Sequence, residues 1–104
     1  MSKWSAYNSG KSIGAVNDGG LILYDEENRD GARITLKRGK SYVSVSLNIY
    51  GWVDHTRFFN SDFDAQREYR AMRSNVVDVL EIINNESNAI KIWEAISDFV
   101  KRFP

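Results

Sequence analysis

The residues of this 104-residue chain that are best suited to chemistry lie in the segment IYGWVDHTRFF, residues 49–59. The segment holds the only histidine, His55, between Asp54 and Arg57. An imidazole titrates near neutral pH and can act as a general acid or base. Adjacent residues of a strand point to opposite faces, so Asp54 is not expected to orient His55. We predict a structural strand histidine, no catalytic residue and no enzyme. Catalysis by His55 is kept as a third hypothesis.

A second chemical signal is the segment SGKS at residues 9–12, which contains part of a phosphate-binding loop. The full pattern requires a glycine five residues before Gly10, where this chain has Ser5. We therefore interpret the segment as a polar loop that opens the first hairpin.

The carboxylates at residues 25–30 are candidate ligands for a calcium ion. If Gly31 is aligned with the invariant glycine of a calcium loop, Lys37 falls where a bidentate glutamate is required. One histidine and no cysteine cannot form a usual zinc site. The sequence thus predicts no metal and no cofactor, and the acidic cluster is interpreted as a solvated hairpin tip.

The aromatic residues give the strongest functional signal. In YVSVSLNIY, residues 42–50, apolar side chains alternate strictly with polar or aromatic ones, which predicts a strand with one buried face. The opposite face would present aromatic anchors among small polar side chains, a composition typical of protein-binding surfaces. The predicted binding residues are Tyr42, Asn48, Tyr50, Trp52 and Arg57.

Two alternatives apply to the same face. The first is single-stranded nucleic-acid binding, with bases stacked on the aromatic rings. Its predicted phosphate contacts are Arg33, Lys37, Arg38 and Lys40. A net charge of zero makes this partner less favoured, because nucleic-acid affinity comes mainly from neutralising phosphates. The second is that the N-terminal segment, with Trp4 and Tyr7, folds back and buries the face.

The elements that must position these residues are strands first and helices second. Turn signals with glycine occur in NDGG, NRDG and KRGK, at residues 17–20, 28–31 and 37–40. Short strands are predicted between them, at residues 12–16, 21–24 and 33–37. Gly51 is expected to mark a bulge or reversal at which the chain leaves the sheet, with Phe58 or Phe59 closing the core.

After Phe59 the apolar period becomes helical. Ser61 or Asp62 can cap a first helix, and NNES at residues 84–87 separates it from a second amphipathic helix. The predicted fold is a two-layer α+β domain spanning residues 1–104. In it an antiparallel β-meander of four to five strands packs against two C-terminal α-helices.

The chain contains no apolar run of about 18 residues, so no membrane contact is expected. A cytoplasmic location is predicted, since cysteine is absent and no signal peptide is present. In size and in its β-then-α order the chain resembles small, cysteine-free bacterial proteins without catalytic signatures, including immunity proteins that cap toxins. The resemblance rests on no diagnostic residue and implies no site. The predicted partner is another protein or a second copy of the chain.

Overall fold

A computed structural model describes residues 2–17 and 20–104. Six antiparallel strands form one sheet, and two helices follow them in the chain. The strands are β1 (Trp4–Ala6), β2 (Val16–Asn17), β3 (Gly20–Asn28), β4 (Ala32–Arg38), β5 (Val43–Ile49) and β6 (Val53–Phe59). The helices are α1 (Asp62–Asn85) and α2 (Ala89–Arg102). The predicted two-layer α+β architecture is confirmed.

The sheet order is β1-β3-β4-β5-β6, with the short β2 also paired to β3. Since β4 occupies one edge of β3, β1 and β2 share the other edge. The four long strands β3 to β6 form an antiparallel meander, as the fold class predicts. At the opposite end of the sheet, β6 pairs only with β5 among the described strands.

The predicted turns lie where the long strands reverse. Gly31, at φ +118, closes the β3–β4 hairpin with a backbone conformation that few other residues adopt. The Gly39 amide donates to the Tyr42 carbonyl at 2.8 Å in the β4–β5 hairpin. In the NDGG turn, Asn17 pairs with Gly20, while Asp18 and Gly19 lie outside the described residues.

Two predictions about the strands are wrong. Residues 12–16 are mostly a turn, in which Gly14 has a φ of +88, and only Val16 enters a strand. The first strand is instead Trp4–Ala6, which is too short for its alternation to be recognised in the sequence.

The segment after Gly51 also stays in the sheet. The Trp52 amide donates to the Ile49 carbonyl at 2.9 Å, which closes a tight turn at Gly51 (φ +81). Strand β6 then pairs with β5 along its whole length, from Ile49–Val53 to Val43–Phe59.

The core lies between one face of the sheet and the two helices, because the apolar positions of β4 and β5 alternate onto that face. The sheet contributes Ala32, Ile34, Leu36, Val43, Val45, Leu47 and Ile49. The helices contribute Ala65, Tyr69, Met72, Val76, Val79, Leu80, Ile92, Ile96 and Phe99.

Both helices begin at a side-chain cap. The Ser61 hydroxyl accepts a hydrogen bond from the Asp64 amide at 3.1 Å, as the sequence predicts, and the Asn88 side chain accepts one from the Ile90 amide. Within the described parts of the chain, neither helix combines the length and the apolar character that crossing a membrane requires.

Replacing Leu47, which is fully buried, by Ala is expected to lower the free energy of unfolding by about 2–5 kcal/mol, because a cavity forms in the core. Ser44 lies on the same strand but on the opposite face, and Ser44→Ala is expected to cost less than about 1 kcal/mol. Urea denaturation measures both values. Equal midpoints for Leu47→Ala and the wild type would show that this face of β5 is not the core face.

Candidate binding surface on the second face of the sheet

The face of the sheet turned away from the helices is covered in one part and uncovered in another. In β5 and β6, paired residues share a face, and Val43, Val45, Leu47 and Ile49 take the helix side. The uncovered part is called the open face below. It consists of Tyr42, Ser44, Ser46, Asn48 and Tyr50 from β5 and its flanks, and Asp54, Thr56 and Phe58 from β6.

The N-terminal segment covers part of this face over β3 and β4. The Tyr7 ring stacks on the Arg33 guanidinium at 3.6 Å, and Gly14 and Ala15 form backbone hydrogen bonds with Ile22. Ile22 and Asp25 beneath are each only 2% exposed, although neither belongs to the main core. The β4 side chains of Arg33, Thr35 and Lys37 still line an open groove beside β5. Tyr7 thus folds back onto the sheet, as the second alternative expects, but the segment does not bury the aromatic face, because Tyr42 and Tyr50 stay exposed. Trp4 instead packs on the helix side, beside Arg73.

Asp25 is buried beneath the covered part of the face. Arg33 donates to its carboxylate at 2.9 and 2.7 Å, and Thr35 donates at 3.0 Å. Burial acts most strongly and disfavours the ionised form, but these hydrogen bonds and the Arg33 charge together outweigh it. The pKa of Asp25 is therefore lowered. The buried Ser12 hydroxyl acts in the same direction, although it forms no hydrogen bond of normal geometry with any described residue.

Two exposed aromatic rings mark one end of the open face. Tyr42 is 57% exposed and Phe58 is 68% exposed, and their rings meet edge to face with centroids 6.3 Å apart. They line a shallow groove of about 450 Å³. The other lining residues are Gly20, Lys37, Gly39, Lys40, Ser41 and Ser44.

The middle of the open face is flat and polar. Ser46 and Thr56 share a hydrogen bond of 2.8 Å across the β5–β6 pair. A second groove, of about 250 Å³, begins here and reaches Asn48 and Asp54. Lys37 lines both grooves, so the two grooves form one continuous strip along the strands.

Tyr50 lies at the far margin of the strip, on the predicted face. Its hydroxyl donates to the Glu27 carboxylate, and burial together with this carboxylate raises the pKa of Tyr50 above its usual range. Tyr42, Asn48 and Tyr50 are thus brought to one surface, as the alternation predicts.

Trp52 is not on that surface. Its ring packs against the core and meets Trp93 of α2 edge to face, with centroids 5.1 Å apart. Trp52 follows Gly51, whose positive φ interrupts the alternation and turns the next side chain to the helix side. Its assignment as a binding residue is therefore corrected.

Arg57 is also on the helix side. It pairs with Val45 in the sheet register, so its side chain points toward α1, where it donates to Glu68 at 2.8 Å. It also donates to the Pro104 carbonyl at 3.1 Å, next to a hydrogen bond from His55 to the Phe103 carbonyl. Both residues share a face, as expected, and both hold the end of α2 in place.

The four predicted phosphate contacts are dispersed. Arg33 is bound to Asp25 and Tyr7, and Arg38 forms a salt bridge with Asp62 of α1 on the other side of the sheet. Only Lys37 and Lys40 line the aromatic groove. The positive charges therefore do not form one row along the open face.

The carboxylates of the acidic cluster at residues 25–30 mostly form tertiary contacts. The cluster is therefore not simply the solvated hairpin tip that the sequence predicts. Glu26 accepts hydrogen bonds from Tyr69 and Arg73, and Asp30 accepts one from Lys3. Within residues 2–17 and 20–104, no three potential metal-ligating side chains come together.

Sequence reasoning missed Phe58, Asp54 and Thr56 as surface residues. In VDHTRFF neither set of alternate residues is wholly apolar, so the pattern does not show which one faces the core. The signal that could have identified them is the length of the loop between β5 and β6. Because this loop has three residues, the even-numbered residues of both strands lie on the same face of the sheet. Phe59, and not Phe58, packs against the core.

Comparison of the chain with protein-family models, with curated proteins and with solved structures gave no match. The function must therefore be inferred from the surface itself.

The stability contributed by Asp25 is expected to depend on pH. Because its pKa is lowered by folding, this stability is complete above the unfolded pKa, near 3.8, and is lost as the pH falls through the lower folded value. Between about pH 6 and about pH 3 the wild type should lose more stability than Asp25→Asn in urea titrations. Equal losses in the two chains would contradict the ionised Asp25–Arg33 pair.

Phe58→Ala and Trp52→Ala are expected to differ in their effect on stability. Phe58 is mostly exposed, so its removal should cost less than about 1 kcal/mol. Trp52 is partly buried and contacts Trp93, so its removal should cost about 2 kcal/mol. Thermal or urea unfolding of the two variants measures this difference in stability. A larger loss of stability for Phe58→Ala than for Trp52→Ala would mean that Phe58 is the buried ring and Trp52 the exposed one.

Proposed function

We propose that this chain is a non-catalytic binding module that holds another protein on the open face, in the manner of a small inhibitor or immunity protein. The observation that carries the proposal is the exposed Tyr42–Phe58 pair on an uncovered sheet surface. Large aromatic side chains grouped on a surface are unusual without a partner, and Tyr is enriched among residues that dominate binding energy.

The surroundings of the aromatic pair suit a protein partner. Ser44, Ser46 and Thr56 are small and polar, so they allow close approach and offer hydroxyl groups for hydrogen bonds. The surface is built on β5 and β6, which pair with each other along their whole length. This pairing limits the conformational entropy that is lost on binding. Tyr42 and Phe58 are the proposed anchors, and Asn48 and Asp54 orient the partner.

Single-stranded nucleic acid is the less supported partner. The phosphate backbone requires several aligned cations, whereas Arg33 and Arg38 are engaged by carboxylates. Lys37 and Lys40 provide only two positive charges along the groove.

The test is affinity capture from a lysate of the cells that make the protein, with and without nuclease, at low and moderate salt. Phe58→Ala and Tyr42→Ala are compared with Phe63→Ala. Phe63 is a matched control, because it is 72% exposed but lies on the first turn of α1. A discrete protein that the wild type and Phe63→Ala retain, and that the open-face variants lose by about tenfold or more, is expected.

Two results would contradict the proposal. Equal retention by Phe58→Ala and Phe63→Ala would place the binding surface elsewhere. Loss of the retained material on nuclease treatment would favour nucleic-acid binding. Self-association is measured separately by sedimentation equilibrium, in which a dimer that Phe58→Ala dissociates would identify a second copy as the partner.

A further inference from the structure

The open face is uneven in charge along its length. Lys37 and Lys40 flank the aromatic rings at one end, and no carboxylate from the described chain lines that groove. Asp54 lies at the other end, beside Asn48, in a groove that is also lined by Lys37 and by Arg33, whose charge is paired with Asp25. Phe58 and Asp54 are four positions apart on β6, or about 13 Å along an extended strand.

The uncovered strip is narrow. Strands β5 and β6, with the β4 residues that line the two grooves, span about 23 Å in length and about 15 Å in width. A standard protein interface buries about 800 Å² on each partner, which exceeds the area of such a strip. The dimensions fit one extended segment of a partner better than a broad flat domain surface.

On the premise that the open face binds a protein, we infer that its occupant is a short extended segment with a polar order. One end carries a carboxylate next to a large apolar side chain, which enters the groove of Tyr42, Phe58, Lys37 and Lys40. About four residues away the segment carries a basic side chain, which meets Asp54. Charge complementarity fixes the direction in which the segment lies, because the reversed segment would bring like charges together at both ends.

The lysines act as rim charges around an apolar contact. A lysine at a groove edge attracts a carboxylate while its methylene stem lies along an aromatic ring. Each such exposed pair contributes little to affinity, so the lysines select the sequence of the segment and the rings supply most of the affinity.

The experiment is selection of random short peptides displayed on phage against the intact chain, followed by affinity measurements with the synthetic winners. The expected peptides place Asp or Glu next to Phe, Trp or Leu and carry Lys or Arg about four positions away. Lys40→Glu is expected to weaken their binding by about fivefold, and Phe58→Ala by about tenfold or more.

Matched controls separate a local effect from a general one. Lys101→Glu makes the same charge change on the exposed last turn of α2, and Phe63→Ala removes an equally exposed ring on α1. Neither is expected to change peptide binding. A charge-swapped peptide with the same composition should bind the wild type less tightly than the original.

Failure of this inference differs from failure of the proposed function. The selected peptides could lack the acidic residue, bind Lys40→Glu as tightly as the wild type, and still fail to bind Phe58→Ala. That result would overturn the charge rule and would still support the open face as the binding surface. Peptides that bind Phe58→Ala as well as the wild type would overturn both. If no peptide depends on Phe58, a short segment is not the occupant, and the capture experiment decides the binding face independently. Displacement of the peptides by single-stranded oligothymidylate would assign the lysines to phosphate.

Discussion

Much of this structure depends on the two-residue alternation of β4 and β5. Their apolar side chains, such as Ile34 and Leu47, must meet α1 and α2, because no other layer of the described chain can bury them. Every intervening side chain is then forced onto the opposite face, where neither α1 nor α2 covers it. The candidate binding surface is thus a consequence of how the core is built.

The N-terminal segment divides that second face. Its contact between Tyr7 and Arg33 closes over Asp25, which is only 2% exposed. Arg33 donates two hydrogen bonds to the two carboxylate oxygens of Asp25, which is the geometry in which a guanidinium binds a carboxylate most strongly. The surface over β5 and β6 stays uncovered, together with the β4 side chains that line its grooves.

Many charged residues hold the layers together. Arg73 and Tyr69 of α1 bind Glu26 of β3, Arg38 of β4 binds Asp62, and Arg57 of β6 binds Glu68. In each of these contacts an acidic side chain and a basic or phenolic one come from different elements of the fold. The Lys37–Lys40 end of the open face differs because its charges border aromatic rings.

The sequence by itself determined the fold class, the hairpin turns, the helix starts and the placement of Tyr42, Asn48 and Tyr50, because each follows from local periodicity, capping or turn chemistry. It did not determine β1, the positions of Trp52 and Arg57, or the exposure of Phe58. Those depend on the register carried through the Gly51 turn and on contacts between distant segments. Only the tertiary structure decided which aromatic rings are free, because a strand pattern of mixed polarity acquires a buried side only when the helices and the N-terminal segment pack against it.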